Sequence, residues 1–268
     1  MTARLNPFSL LPLLELRSQR YLIAQMIRRD ILTRYRGSAL GILWSLVTPI
    51  LLLLVYTFVF GIVFQARWGP AASDHTQFAI ILFTGLLTFA IFAECANRAP
   101  TLVQGNPNYV KKIVFPLEVL PVVSLGSALF HAGISLGILL IFNLVINGTL
   151  QWTLVYLPLV ALPLLLLSLG TGWLLSALGV YLRDIAQAVG LLTTILLFLS
   201  PIFYPLSAVP ESLQALLRLN PLTMIIAQVR GVVLWGEPPA IPALVGLTSL
   251  MALFAWASFA WFLSLIHI

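Results

Sequence analysis

Residues that could carry nucleophilic, redox or metal chemistry are few and far apart in this sequence. Its 268 residues include one cysteine, Cys95, which excludes an intramolecular disulfide and a cysteine-based metal site. The three histidines, at positions 75, 131 and 267, lack the close spacing of metal ligands. We therefore predict no metal site.

Acid–base and phosphate chemistry have equally little support. No Gly-Lys dipeptide occurs, so the chain has no Walker A loop and is predicted to hold no cofactor and to hydrolyse no ATP by itself. The eight Asp and Glu residues stand apart, and no pair of them falls in a long apolar run, where a proton-coupled carrier usually has one. His131 lies deep in such a run, but a lone histidine there is more typical of helix packing than of proton transfer. No catalytic residue is predicted.

The composition indicates the class of protein to which these residues belong. The chain is 60% hydrophobic and 8% charged, with a mean hydropathy of +1.05 and a net charge of +6. A soluble domain is usually about a quarter charged. These values exclude a soluble globular protein, a disordered chain and a basic nucleic-acid-binding module. They predict an all-α polytopic membrane protein, because helices satisfy their own backbone groups in lipid.

Uncharged apolar runs predict six transmembrane helices within a single membrane domain. The expected spans are about 42–64, 77–95, 121–146, 153–179, 185–203 and 240–264. With six spans, 11 of the 14 Lys and Arg residues fall on the side of the two termini and three on the other. Both termini are therefore predicted to be cytoplasmic.

The segment 20–36 is too charged to cross a membrane and apolar enough to contact one. We predict an amphipathic helix in the membrane interface, in contact with lipid headgroups; an ordinary charged flank of the first span is the alternative. Asp30 and Arg34 fall within the apolar arc of this helix, four residues apart, a spacing at which they could pair. Gly37 and Gly41 are expected to let the chain turn into the first span. The charged residues assigned to this interface helix are Arg28, Arg29, Asp30, Arg34 and Arg36.

The connection before the last span is unusually apolar. It contains the helix-forming stretches LQALLRL and LTMIIAQVRGVVLW, with Pro205, Pro210, Pro221 and Pro238 between and around them. Each piece is too short to cross a bilayer. We predict two short re-entrant helices at the outer face, over about 203–235, in preference to a seventh and an eighth span.

The loop 96–120 is basic and has a Gly-Asn-Pro turn signal at 105–107, followed by an amphipathic stretch that ends at Pro116. A short protruding helix there could dock a cytoplasmic partner. The alternative is a positively charged loop that only enforces topology.

Aromatic side chains are frequent, and their faces can stack on sugar rings. The candidates for a sugar pathway are Tyr56, Phe60, Phe89, Phe92, Phe198, Phe203 and Tyr204. Lipid contact or helix packing explains any single one of them equally well.

Four ordered motifs carry a resemblance that covers nearly the whole chain. They are RRDILTRYRGSALGILWSLVTPILLLLVYTFVF, NYVKKIVFPLEVLPVVSLGSALFHAGISL, GVYLRDIAQ, and SPIFYPLSAVP followed by LNPL. Together they resemble the ABC-2 type permeases of bacterial polysaccharide exporters. The runs NYVKKIVFPLEVLP and FAECANRAP look most like those of lipopolysaccharide O-antigen exporters. Capsule and teichoic-acid exporters are close relatives and remain alternative interpretations.

The resemblance implies a six-span half-transporter in the bacterial inner membrane that forms a homodimer. Two copies of a separate nucleotide-binding subunit would supply ATP hydrolysis with ATP and Mg. A lipid-linked polysaccharide would enter beside the interface helix, pass a channel lined partly by the aromatic residues above, and leave past the outer gate helices. The segment about 106–116 would be the coupling helix, and the residues assigned to this contact are Asn108, Tyr109, Lys111, Lys112, Phe115 and Glu118.

Two functions of other classes compete with this interpretation. A carrier or lipid-glycan flippase that works without ATP needs a buried ionisable site, for which His131 is the candidate. A membrane glycosyltransferase needs a carboxylate beside basic residues, and Arg183-Asp184 is the one adjacent pair; such a pair more often caps a helix end.

Overall fold

Every regular element in the described part of the chain is helical, as predicted. The computed structural model describes residues 19–64, 68, 75–106, 115–182 and 184–266. Its α-helices are α1 (Arg20–Arg34), α2 (Trp44–Tyr56), α3 (His75–Arg98), α4 (Val119–Asn147), α5 (Leu157–Tyr181), α6 (Ile185–Leu199), α7 (Glu211–Leu219), α8 (Pro221–Arg230) and α9 (Ile241–Ile266). Two of them continue as π-helix, α2 over Thr57–Val63 and α8 over Gly231–Trp235.

Among the described residues, five helical segments are long and apolar enough to cross a membrane. They are Gly41–Val63, Gln77–Thr101, Val119–Asn147, Trp152–Tyr181 and Ile241–Leu265. Each coincides, within a few residues, with one of the predicted spans.

The remaining predicted span, 185–203, is shorter in the structure. α6 has 15 residues and ends at Leu199, which gives a length of about 22 Å against roughly 30 Å for the hydrocarbon core of a bilayer. Ser200 is extended, with φ −89° and ψ 138°. Pro201 explains this, because a proline has no backbone N–H and disfavours a helical residue before it. The predicted end of this helix was therefore four residues too late.

The connection before α9 does contain two short helices. α7 and the segment Pro221–Trp235 meet at 94°. Asn220 lies at the bend and caps α8, because its side-chain oxygen accepts a hydrogen bond from the Leu222 backbone N–H at 3.0 Å.

α8 is part of the core of the chain and packs against α3 and α5. Leu222, Ile225, Ile226 and Val229 recur at helical spacing and are all buried. The second of the two predicted outer helices is therefore enclosed by protein.

α1 lies against the helical bundle and packs on α4. Met26 and Ile31 of its apolar arc are buried, so part of the predicted lipid-facing arc contacts protein. Gly37 and Gly41 follow the helix with φ values of +83° and +54°. These left-handed conformations favour glycine and turn the chain into α2, as expected.

The C-terminal end of α5 is fitted closely to the chain that follows α3. The Ser176 hydroxyl donates to the Ala99 carbonyl at 3.0 Å, and the Gln104 side-chain amide donates to the Gly179 carbonyl. A Cβ added to Gly179 would lie 2.1 Å from the Pro100 carbonyl oxygen. Backbone therefore occupies the space where any other residue at 179 would have a side chain.

Gly179→Ala should destabilise the protein, because the contacted atom belongs to the backbone of Pro100 and cannot rotate away. Overpacking of this kind costs about 1–3 kcal/mol, and the melting temperature in detergent should fall by about 2–4 °C per kcal/mol. Gly133→Ala is the matched control, since no atom lies within 4 Å of the added methyl group. Equal melting temperatures for the two variants would contradict the close contact.

Candidate functional site

Four charged side chains join α1 to the end of α3. The Arg98 guanidinium donates to both oxygens of Asp30, at 2.6 and 2.9 Å, and its Nη1 lies 3.5 Å from Glu94 Oε1. Arg34 donates to the same Glu94 oxygen. We call these four residues the charged junction.

Asp30 and Arg34 do not pair with each other within α1, because each of them pairs with α3 instead. Glu94 and Arg98 are four residues apart on α3, as Asp30 and Arg34 are on α1. The acid of each helix therefore lies opposite the base of the other. Pairing across the helices satisfies all four groups, whereas the pair within α1 would leave both charges of α3 without a partner from α1.

The Arg98 contact keeps Asp30 charged. Burial by itself would raise the pKa of Asp30, but hydrogen bonds from Arg98 and Ser127 and the charges of Arg98 and Arg34 together outweigh it, so the pKa lies below its usual value. A carboxylate with a lowered pKa in the folded state stabilises that state above its ordinary pKa. The contribution is lost as the pH falls through the lowered value. The junction is therefore intact at neutral pH.

The other face of α1 is basic and exposed, as predicted. Arg28, Arg29 and Arg36 line an open depression of about 510 Å³ together with Gln25, Leu32 and Thr33. Guanidinium groups suit phosphate groups, which they bind with paired hydrogen bonds. A second pocket of about 300 Å³ lies on the inner side, between α1, the end of α3 and the start of α4, and includes Asp30, Arg98, Asn106 and Ser124.

His131 contacts the residue that follows α1. Its Nδ1 lies 3.2 Å from the Tyr35 hydroxyl, and its ring packs edge-on against Tyr35 and Phe130. These contacts are those of a packing residue that holds the end of α1 on α4.

Most of the predicted coupling helix, including Asn108, Tyr109, Lys111 and Lys112, lies outside the described residues. The chain on both sides of it is described and is attached to α5. Before the segment, Ala99 and Gln104 make the bonds to Ser176 and Gly179 given above. After it, the buried Trp173 indole N–H donates to the Glu118 carbonyl at 3.0 Å.

Phe115 and Glu118 are the predicted coupling residues that the structure describes. Phe115 is half-buried and packs against the apolar cluster around Met26 and Trp173. Glu118 is buried. Both therefore secure the base of the loop.

The predicted sugar-pathway aromatics form three groups of ring contacts in the described chain. Tyr56 and Phe60 are half-buried on α2 and its extension, with ring centroids 6.3 Å apart. Phe89 and Phe92 are buried on α3, each only 6% exposed.

The third group lies at the end of α6. Phe198 and Phe203 stack with centroids 5.5 Å apart and an interplanar angle of 22°, and the Tyr204 hydroxyl donates to the Phe198 carbonyl at 2.9 Å. Phe198 is 61% exposed. This group has the most aromatic surface available for stacking.

Arg230 is a residue that sequence reasoning misplaced. The charge count treated it as an outer loop residue, but it is 3% exposed within the bundle. Its guanidinium donates to the carbonyls of Ile81, Pro201 and Ile202 at 2.7–3.1 Å and lies 4.4 Å from the centre of the Trp68 ring. The sequence did hold a signal: Arg230 follows Leu222 and Ile226 at intervals of four, on the buried face of α8.

Comparison with known proteins agrees with the resemblance. The chain is 29% identical to the O-antigen export system permease protein RfbA of Myxococcus xanthus over 246 residues, which are 91% of this chain and 92% of the relative. It is 27% identical to RfbA of Klebsiella pneumoniae over 206 residues, covering 76% and 77% of the two chains. It is 26% identical to the polysialic acid transport protein KpsM of Escherichia coli over 226 residues, covering 81% and 83%.

The family comparison covers the helices that build the charged junction, the α5 contacts and the bend beside Arg230. Residues 21–234 match the family described as ABC-2 type transporter, from α1 to the end of the π-helical extension of α8. Together with its several apolar helices, this match makes the chain a multi-pass membrane protein and a transport permease. The chain belongs to the ABC-2 type transporter family.

Proposed function

We propose that this chain is the transmembrane permease subunit of an ATP-driven exporter that moves lipid-linked polysaccharide of the O-antigen type from the cytoplasm to the periplasm. The observation that carries the proposal is the alignment with an O-antigen export permease over nine-tenths of both chains. The site of action would be the bacterial inner membrane, with both termini in the cytoplasm.

ATP hydrolysis would reside in a separate subunit. The chain has no Walker A sequence, and its family is that of ABC transporters. Two permease chains would form a homodimer and bind two ATPase subunits, which would hold ATP and Mg. The docking element would be the segment 106–116, and the chain on either side of it is attached to α5 through the bonds of Ser176 to Ala99 and of Trp173 to Glu118.

The exposed face of α1 would lie at the entrance for the substrate. Its Arg28, Arg29 and Arg36 provide a cationic surface at the membrane, and a lipid-linked glycan carries phosphate next to its lipid. The charged junction holds this surface in place by linking α1 to α3. Phosphate binding by this surface would therefore also depend on the charged junction, whose residues bind one another.

A capsular polysaccharide is the second candidate substrate. KpsM of Escherichia coli and the capsule polysaccharide export protein CtrC of Neisseria meningitidis also align with the chain, at 26% and 23% identity. Reconstitution with each glycan on its lipid carrier distinguishes the two. Transport without ATP would instead favour the flippase.

Charge reversal in the coupling segment should uncouple export. Lys111→Glu with Lys112→Glu changes the docking face from cationic to anionic, and we expect export to fall at least about tenfold, equivalent to ~1.4 kcal/mol of lost binding. The measurement is surface glycan in cells together with the amount of permease in the membrane, which should be unchanged. The matched control is Lys111→Arg with Lys112→Arg, which keeps both charges. Unchanged export in the reversed variant would count against the docking role.

The charged junction should behave as a coupled unit. Asp30→Asn or Arg98→Gln alone leaves a partly buried charge without its main partner, which is destabilising, whereas the double variant removes both charges. We expect the double variant to lose less stability than the sum of the two single variants, with a coupling free energy of about 1 kcal/mol. Melting temperatures in detergent give this cycle, and Arg28→Gln on the exposed face is the control. Additive losses would show that the pair contributes nothing to holding α1.

A further inference from the structure

Arg230 is a buried cation whose hydrogen bonds all go to backbone carbonyls. The three acceptors belong to two segments that are distant along the chain, namely Ile81 of α3 and Pro201–Ile202 of the bend after α6. No ion pair of Arg230 is found among the residues that the structure describes. Burying a cation is costly unless its donors are satisfied, and here the planar guanidinium satisfies three of them in a fixed geometry.

The acceptors at 201 and 202 lie beyond the end of α6 at Leu199, in a bend without a helical hydrogen-bond ladder. Few side chains other than arginine present several donors at fixed angles to such carbonyls. Lysine is an inadequate substitute, since a single ammonium cannot reach all three carbonyls in the same directions. The site therefore requires the shape of the arginine group as well as its charge.

The chain leaves a space for this guanidinium at Gly85. A Cβ at that position would lie 2.5 Å from Arg230 Nη2, 3.2 Å from its Cζ and 3.4 Å from Ile202 Cγ2. Gly85 is buried in α3, one turn after Ile81. An added methyl group would therefore displace the guanidinium from its acceptors while leaving arginine in the chain.

α8 is tied to the same bend at both of its ends. At the start, the Asn220 side-chain amide donates to the Ser200 hydroxyl at 3.1 Å; at the other end, Arg230 holds the carbonyls of Pro201 and Ile202. The next residues of the bend are Phe203 and Tyr204, which contact Phe198 on α6. α8 therefore sets the position of the backbone that carries Phe203 and Tyr204.

We propose that Arg230 is a positioning residue for export: it fixes the bend 200–204 so that Phe198, Phe203 and Tyr204 present a fixed stacking surface to the sugar rings of the passing glycan. This inference rests on the proposed function, because it requires a glycan substrate. Arg230 does not touch the glycan. Its effect passes through the backbone that carries the aromatic rings.

The test uses the permease assembled with its ATPase in proteoliposomes, with O-antigen on its lipid carrier as substrate. Arg230→Lys, Arg230→Met and Gly85→Ala are compared with wild type for amount of complex, ATP hydrolysis and glycan exported per ATP. We expect ATP hydrolysis within twofold of wild type and at least a tenfold loss of glycan exported per ATP in all three variants. Gly246→Ala, where no atom lies within 4 Å of the new methyl group, is the control and should export normally.

A double-mutant comparison tests whether Arg230 acts through the rings. Phe203→Ala alone should reduce export per ATP, and adding Arg230→Lys should cause no further loss, because both changes disable the same surface. Losses that multiply would overturn the proposal.

A purely structural role would give a different result. Complex amount, ATP hydrolysis and export would then fall in proportion, or the Arg230 and Gly85 variants would yield no complex, and either outcome overturns the proposal. Wild-type complex that hydrolyses ATP without moving any glycan would contradict the proposed function instead, so the two failures are distinguishable.

Discussion

The constraint on which the structure depends is that backbone groups released at a helix break must find partners inside the protein. Lipid offers no hydrogen bonds, so each interruption needs a donor from elsewhere in the chain. Ser176 and Trp173 donate to carbonyls on either side of the loop after α3, Arg230 donates to those after α6, and Thr153 donates to the Val232 carbonyl at 2.6 Å in the π-helical extension of α8. These few polar side chains satisfy backbone carbonyls at places where a largely apolar bundle departs from regular helix.

Charge is used in two separate ways. The basic face of α1 is open to its surroundings, whereas the charged junction is satisfied within the chain. α1 can therefore offer arginines to an anionic partner while an acid and a base of the same helix hold it in register against α3. A helix held only by its apolar residues would slide and rotate more easily, since apolar contacts are not directional.

The sequence predicts the long elements well and the local exceptions poorly, for physical reasons. Uncharged runs such as the one from Gly37 to Ala66 mark spans because a charge in lipid is expensive, and the glycines at 37 and 41 correctly marked the turn after α1. The predicted end of α6 is too late because the run stays apolar past Pro201. Hydropathy does not reveal that Pro201 has no backbone N–H and ends the helix. Ion pairs between helices, such as that of Glu94 with Arg34, depend on how the helices pack, and the sequence pattern does not show that packing. Arg230 was counted as a loop charge because a tally of basic residues ignores helical phase.

The attachment of the loop after α3 to α5 has a mechanical consequence. Residues on both sides of that loop are bonded to the C-terminal half of α5, so we expect these residues and α5 to move together. Trp173 also packs on Phe259 of α9, with ring centroids 4.8 Å apart. A displacement of the described residues at either side of this loop would therefore reach α5 and α9 together, as a tilt of the helix pair.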